Sequence, residues 1–111
     1  MWSFVFLWVN GIMENSILMR KNRIKRHLHS IAKEVLAYIK EQEALFPDRW
    51  VPSSEIKKDL GLNYVAVPQE NTQYGRKGWL FAIVARLLED DGLVEYKKNG
   101  NRAYYRSKKS H

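Results

Sequence analysis

The chain has 111 residues and a formal net charge of +7, from 19 Lys and Arg against 12 Asp and Glu. This length accommodates one domain of ordinary size, and a hydrophobic content of 45% excludes a wholly disordered chain. The absence of cysteine excludes a disulfide framework, thiolate zinc sites and a cysteine nucleophile.

The excess positive charge is concentrated at the two ends of the chain. Residues 1–29 carry five cations and one anion, residues 30–95 carry eight and eleven, and residues 96–111 carry six and none. Charge blocks of this kind suit a polyanion such as nucleic acid. The alternative is that they serve solubility and end in a solvated lysine tail.

Residues 1–13 form an apolar run that is too short to span a bilayer, which needs about 20 residues. Three interpretations compete. The first is an interfacial membrane anchor followed by the basic patch at 20–26. The second is an element that docks on the domain or on a second subunit. The third is that the run results from the choice of start codon, because Met13 and Met19 both precede the patterned region. We favour the last two. We therefore treat residues 1–21 as an extension that need not belong to the fold, and expect no membrane contact through residues 1–13.

Two helices and a short strand are predicted in the first half of the chain. A helical apolar spacing runs from Asn22 and should end near Leu45, because Pro47 disfavours helical geometry before it. Its apolar positions are Ile24, Leu28, Ile31, Val35, Tyr38 and Ile39. Residues 50–52 suit a short strand. Residues 53–62 suit a second helix, with Ser53 as its N-cap and Gly61 at its C′ position.

A long connection and a third helix follow. Residues 62–75 have no clean period, and their length indicates a functional or partly ordered insertion. Residues 76–90 predict the third helix. Its expected core face comprises Leu80, Ile83, Val84, Leu87 and Leu88. Its expected exposed face is slim and comprises Gly78, Ala82, Ala85 and Glu89.

A β-hairpin is the sharpest local signal. Asn99-Gly100 is the preferred pair for a two-residue type I′ turn. That turn would pair Lys98 with Asn101, Lys97 with Arg102, Tyr96 with Ala103, Glu95 with Tyr104 and Val94 with Tyr105. Val94, Tyr96, Ala103 and Tyr105 would then face the core. Glu95, Lys97, Arg102 and Tyr104 would face water.

This order of elements resembles an α+β winged helix-turn-helix, with three helices plus a C-terminal β-hairpin wing, over residues 24–106. A narrower likeness is to the N-terminal DNA-binding domain of Mrr-type restriction proteins. It rests on a basic residue before an aromatic residue at the helix start, and on a Leu-x-x-x-Gly-Leu ending. The matching positions are Arg76, Trp79, Leu88, Gly92 and Leu93. The resemblance implies DNA binding, often with a fused nuclease. This sequence ends five residues after the hairpin, so nuclease activity is not carried over.

We therefore expect a cytoplasmic protein that binds double-stranded DNA, either a small regulator or a stand-alone recognition domain of a restriction-like system. The domain would span residues 22–106, with a basic tail at 107–111. Besides DNA, a second copy of the chain or a nuclease is a candidate partner. The alternative is a winged helix that binds protein and has lost nucleic-acid binding.

The expected DNA contacts come from the third helix, which enters the major groove, and from the hairpin, which meets the backbone. They are Arg76, Lys77, Trp79, Arg86, Lys97, Lys98, Asn101 and Arg102. Trp79 stacks on a base in this interpretation, with packing as its alternative. We expect no enzyme activity, metal or cofactor. His27 and His29 do not share a helix face, and no phosphate-binding glycine loop is visible.

Overall fold

The computed structural model describes residues 2–63 and 78–109. Its contacts divide the chain into two units, residues 1–30 and residues 31–111. Arg76, Lys77 and most of the predicted insertion at 62–75 lie outside the described residues.

The described residues form an α+β structure of three α-helices and a three-stranded antiparallel sheet in the order β1-β3-β2. The helices are α1 (Trp2–Gln42), α2 (Ser53–Asp59) and α3 (Trp79–Asp90). The strands are β1 (Val51–Pro52), β2 (Val94–Asn99) and β3 (Arg102–Ser107). Two 3₁₀ turns, Glu43–Leu45 and Pro47–Arg49, connect α1 to β1.

The first helix is longer than its apolar spacing predicted. It begins at Trp2 rather than near Asn22, and it ends at Gln42, just before the 3₁₀ turn that reaches Leu45. Residues 2–21 contain no proline and a single glycine. Strong helix breakers are therefore scarce, and a helix that is already nucleated propagates through the segment.

The second helix confirms one predicted cap and corrects the other. Pro52 occupies the N-cap, and Ser53 is the first helical residue and caps nothing with its side chain. At the other end, Leu62 N donates to Lys57 O at 2.8 Å and Gly61 N donates to Lys58 O at 3.3 Å. These are the two bonds of a Schellman motif, with Gly61 at the predicted C′ position.

The third helix is rotated relative to its predicted faces. Phe81 and Ala85 are buried together with Val84 and Leu88, whereas Ile83 is 46% exposed. At 100° per residue, the centre of the core face moves by about 80° from the predicted one. The cause is Phe81, whose ring packs edge-on against Tyr105 with ring centroids 5.5 Å apart. The predicted slim face is therefore wrong, because Gly78 and Ala85 are both buried.

One hydrophobic core joins α1, α2, α3 and the sheet in residues 31–111. Its fully buried side chains include Val35, Ile39, Val51, Ile56, Val84 and Leu88. Tyr38 adds a polar tie, since its hydroxyl donates to Asp59 Oδ2 at 2.6 Å and thereby joins α1 to α2. Burial, together with the Asp59 carboxylate, raises the pKa of Tyr38 well above its usual range.

The hairpin forms with a different turn from the predicted one. Asn99 pairs with Arg102, so the two turn residues are Gly100 and Asn101. Gly100 has φ 64° while Asn101 does not have a positive φ, which is the pattern of a type II′ turn with glycine first. The predicted pairing of Lys98 with Asn101 is therefore wrong. The predicted alternation is kept, because shifting a two-residue loop by one position moves each partner by two residues. Val94 and Tyr105 are buried as predicted, whereas Tyr96, which was also predicted to face the core, is 43% exposed.

A polar cluster fixes the base of the hairpin to the segment after α1. The Glu43 carboxylate accepts bonds from Ser107 N at 2.9 Å, Ser107 Oγ at 2.8 Å and Arg49 Nη1 at 3.2 Å. Arg106 donates to Glu95 Oε2 at 2.9 Å and to Asp48 O at 3.0 Å. Burial by itself raises the pKa of Glu43, but the bonds from Ser107 and Arg49 outweigh it and lower that pKa below its ordinary value.

Candidate nucleic-acid interface

The exposed face of α3 is mainly apolar. It presents Trp79, Ala82, Ile83 and Arg86, with Trp79 42% and Ile83 46% exposed. Arg86 is the single cation of α3, and its Nε lies 3.1 Å from Asp90 Oδ1 one turn later. This face therefore provides mainly apolar contact, and its one positive charge, that of Arg86, is already paired with Asp90.

An open cleft of about 450 Å³ lies between this face, α2 and the hairpin. Lys57 of α2, Trp79 and Ile83 of α3, and Ala103 of β3 border it. Lys57 passes close to Gly78 at the start of α3, where a Cβ atom would lie 2.5 Å from Lys57 Cδ. Gly78 also has φ 82°, a backbone conformation that favours glycine, whereas the flexible Lys57 side chain could shift to admit a Cβ atom.

A second cleft of about 440 Å³ adjoins the first and is more polar. It is bordered by Ser54 and Glu55 of α2 and by Asn101 and Arg102 at the hairpin tip. Ser53, Lys57 and Ala103 line both clefts. The two together make a continuous concave surface, with Lys57 bordering both clefts. Arg102 borders the polar cleft alone and, through its pairing with Asn99, belongs to the side of the sheet that carries Tyr104.

The hairpin distributes its predicted contact residues over two sides. Lys98 pairs with Ala103 and shares the side of the sheet that lines the α3 cleft, because directly paired residues lie on one face. Lys97 lies on the other side, with Nζ 5.0 Å from the centre of the Trp50 ring and 5.6 Å from that of Tyr104. Lys97 is thus held by cation–π contacts, while Lys98 extends from the tip.

Charge around the clefts is mixed. Glu55 Oε2 lies 3.5 Å from Lys58 Nζ, in an exposed pair beside the polar cleft. Burial, reinforced by the negative charge of Glu89, raises the pKa of Tyr105 to about 12. Tyr105 forms an uncharged wall of the α3 cleft.

Of the predicted contact residues that the structure describes, Trp79, Asn101 and Arg102 border the two adjoining clefts. Lys98 lies at the tip of the hairpin that borders them. Arg86 lies on the α3 face with Trp79, and Lys97 faces the opposite side of the sheet. Lys57 was not predicted. Its place depends on how α2 packs beside Gly78 and the hairpin, which the local sequence around Lys57 does not indicate.

Within the described ranges, no three His, Cys, Asp or Glu residues gather where they could hold a metal ion. Residues 2–63 and 78–109 also contain no helix that is both long and apolar enough to cross a membrane. No family model, curated protein or solved structure matches this chain.

Proposed function

We propose that residues 31–109 form a winged helix-turn-helix that binds double-stranded DNA, as a small regulator or as a recognition domain of a restriction-like system. The observation that carries this proposal is the concave surface shared by α3 and the hairpin. The sheet order β1-β3-β2, with α2 and α3 between β1 and β2, supports it. In this proposal β2 and β3 are the wing.

In this proposal, most of the affinity for duplex DNA comes from cations of the hairpin and of α2. Lys57 and Arg102 border the clefts and Lys98 lies at the hairpin tip beside them; in the described part of the chain no ion pair involves Lys98 or Arg102. Free cations of this kind neutralise phosphates and release counterions. The α3 face would enter the groove with Trp79 and Arg86, where Arg86 must leave Asp90 to contact a base.

A paired substitution tests this proposal. Lys98→Ala with Arg102→Ala removes two phosphate contacts, so the slope of log affinity for duplex DNA against log salt should fall by about two. Lys33→Ala with Lys40→Ala removes the same charge from exposed positions on α1 and serves as the control. Lys97 is left intact because its contacts with Trp50 and Tyr104 make it part of the structure.

The affinities of both variants are measured by titration with duplex, single-stranded and competitor DNA at two salt concentrations. We expect the hairpin variant to lose most of its duplex affinity while its melting temperature stays within about 2 °C of the parent, since both side chains are exposed. Equal loss in the two variants would mean that net charge alone attracts the duplex, and the proposed surface would be wrong.

A protein-binding winged helix is the second candidate. The exposed Trp79 and Ile83 favour it, because aromatic and aliphatic side chains at the centre of a surface are typical of protein interfaces. The partner would be a second copy of the chain or a nuclease subunit. Absence of duplex binding, together with a complex that Trp79→Ala disrupts, would favour this function over DNA binding.

A further inference from the structure

The first unit of the chain carries a row of aliphatic side chains along α1, of which three are exposed and Leu28 is half-buried. Met13, Ile17, Ile24 and Leu28 follow one another at spacings of four, seven and four. At 100° per residue they fall within an arc of about 60°, which we call the apolar stripe. Met13, Ile17 and Ile24 are 56%, 61% and 60% exposed. Leu18 and Met19 are also exposed, at 54% and 59%, but they lie about 110° and 150° from the centre of the stripe. Four aliphatic side chains aligned on one face of a helix predict that this face is covered by something apolar.

Cations flank the apolar stripe on both sides. Arg20 and Lys21 lie about 50° to either side of its centre, and Lys25 and Arg23 lie further round. Residues 13–30 contain five Lys and Arg and a single acid, Glu14. Long basic side chains beside an apolar face can lay their methylene stems along it and extend their charges outward.

We propose that residues 13–28 of α1 form an amphipathic helix that binds the surface of an anionic lipid bilayer. The apolar stripe lies towards the acyl chains, and Arg20 and Lys21 reach the lipid phosphates on either side. A helix that lies in the interface needs no membrane-spanning length. The binding combines burial of Ile17 and Ile24 with attraction of the basic residues to the negative surface.

The sequence of the stripe argues against a second copy of the chain as its partner. Between Ile17 and Ile24 no apolar side chain lies on the stripe, and Arg20 and Lys21 border this gap on either side. Two copies packed along this face would bring four cations into their shared seam, where a coiled coil requires apolar side chains. Charge repulsion across the rest of the segment would oppose the same dimer.

Nucleic acid is also a poor partner for this face. It would satisfy the cations, but its phosphate backbone offers no aliphatic surface to cover Ile17 and Ile24. An anionic bilayer supplies both chemistries at once, since it has phosphate headgroups at the depth of the cations and acyl chains below them.

The full chain tests this proposal by co-sedimentation with lipid vesicles. We expect affinity for vesicles of phosphatidylcholine mixed with phosphatidylserine to exceed that for phosphatidylcholine alone by at least about tenfold, and to fall as salt is raised. Ile17→Glu with Ile24→Glu should abolish binding. Asn15→Glu with Asn22→Glu adds the same two charges at exposed positions about 160° away and should retain much of it.

Circular dichroism of both variants checks that α1 stays helical, which we expect because all four positions are exposed. Equal losses in the two variants would overturn the proposal, because charge alone would then explain binding. Equal affinity for the two kinds of vesicle would overturn it as well. So would a dimer in sedimentation equilibrium that Ile17→Glu with Ile24→Glu dissociates while no vesicle binds, since a second copy would then cover the stripe.

Discussion

The polar cluster at the base of the hairpin makes a quantitative prediction for Glu43→Gln. The Glu43 side chain is 13% exposed and accepts two bonds from Ser107 and one from Arg49. Each bond from Ser107 to the charged carboxylate contributes about 1.5 kcal/mol, and the partly exposed Arg49 pair adds less. Glutamine keeps one acceptor oxygen but presents an NH₂ group to the other donor. We expect the free energy of unfolding to fall by about 2 kcal/mol at pH 7.

The same contacts fix the pH dependence of this loss. The pKa of Glu43 is lowered in the folded state from an ordinary value of 4.5. Its contribution to stability is therefore fully present above that ordinary value and is lost as the pH falls through the folded-state pKa. The difference between the parent and Glu43→Gln should be constant from about pH 7 to 6 and should shrink as the solution is acidified below about pH 4.5.

Urea denaturation followed by circular dichroism at several pH values measures this difference. Glu41→Gln is the matched control, because Glu41 is exposed on the last turn of α1, and we expect it to change the free energy of unfolding by less than about 0.5 kcal/mol. If Glu43→Gln is as stable as the parent at pH 7, or if its deficit persists unchanged in acid, the assignment of the cluster is refuted.

Two further pairs of variants test the rotation of α3 and the turn of the hairpin. Phe81→Ala should lower the free energy of unfolding by about 3–5 kcal/mol and Ile83→Ala by less than about 1 kcal/mol, with the order reversed if the predicted face were right. Gly100→Ala should cost about 1 kcal/mol because of the positive φ at the first turn position, whereas Asn99→Thr should be neutral because Asn99 belongs to β2. Thermal or urea denaturation of the four variants decides both questions.

The parts of the fold that local chemistry determines were predictable from the sequence. The order of helices and strands followed from apolar spacing and from turn residues. Gly61 ends α2 through the predicted motif. The alternation of the hairpin was also predicted, although its turn lies one residue later and Tyr96, predicted to face the core, is 43% exposed. Strand alternation has a period of two, so an error of one residue in the turn left Val94 and Tyr105 on the core side.

The rotation of α3 and the Glu43 cluster depend on distant partners, and neither could be predicted. The helix is apolar on most sides, so its periodicity allowed more than one core face. The ring of Phe81 decides between them by its contact with Tyr105, 24 residues later in the sequence. Glu43 and Ser107 are 64 residues apart, and nothing near either of them in the sequence indicates that they meet.

The rotation of α3 also changes which contacts a duplex could receive. The predicted slim face would have let the backbone of α3 approach the groove floor, with cations at its edge. The observed face instead presents Trp79 and Ile83, and Arg86 is the one cation of α3. The other cations at the clefts, Lys57 and Arg102, come from α2 and the hairpin and suit phosphates. Contacts to phosphate fix position without reading sequence. If this surface binds DNA, its affinity should therefore be strongly salt-dependent and its sequence preference modest, because one arginine and two apolar side chains can distinguish few base pairs.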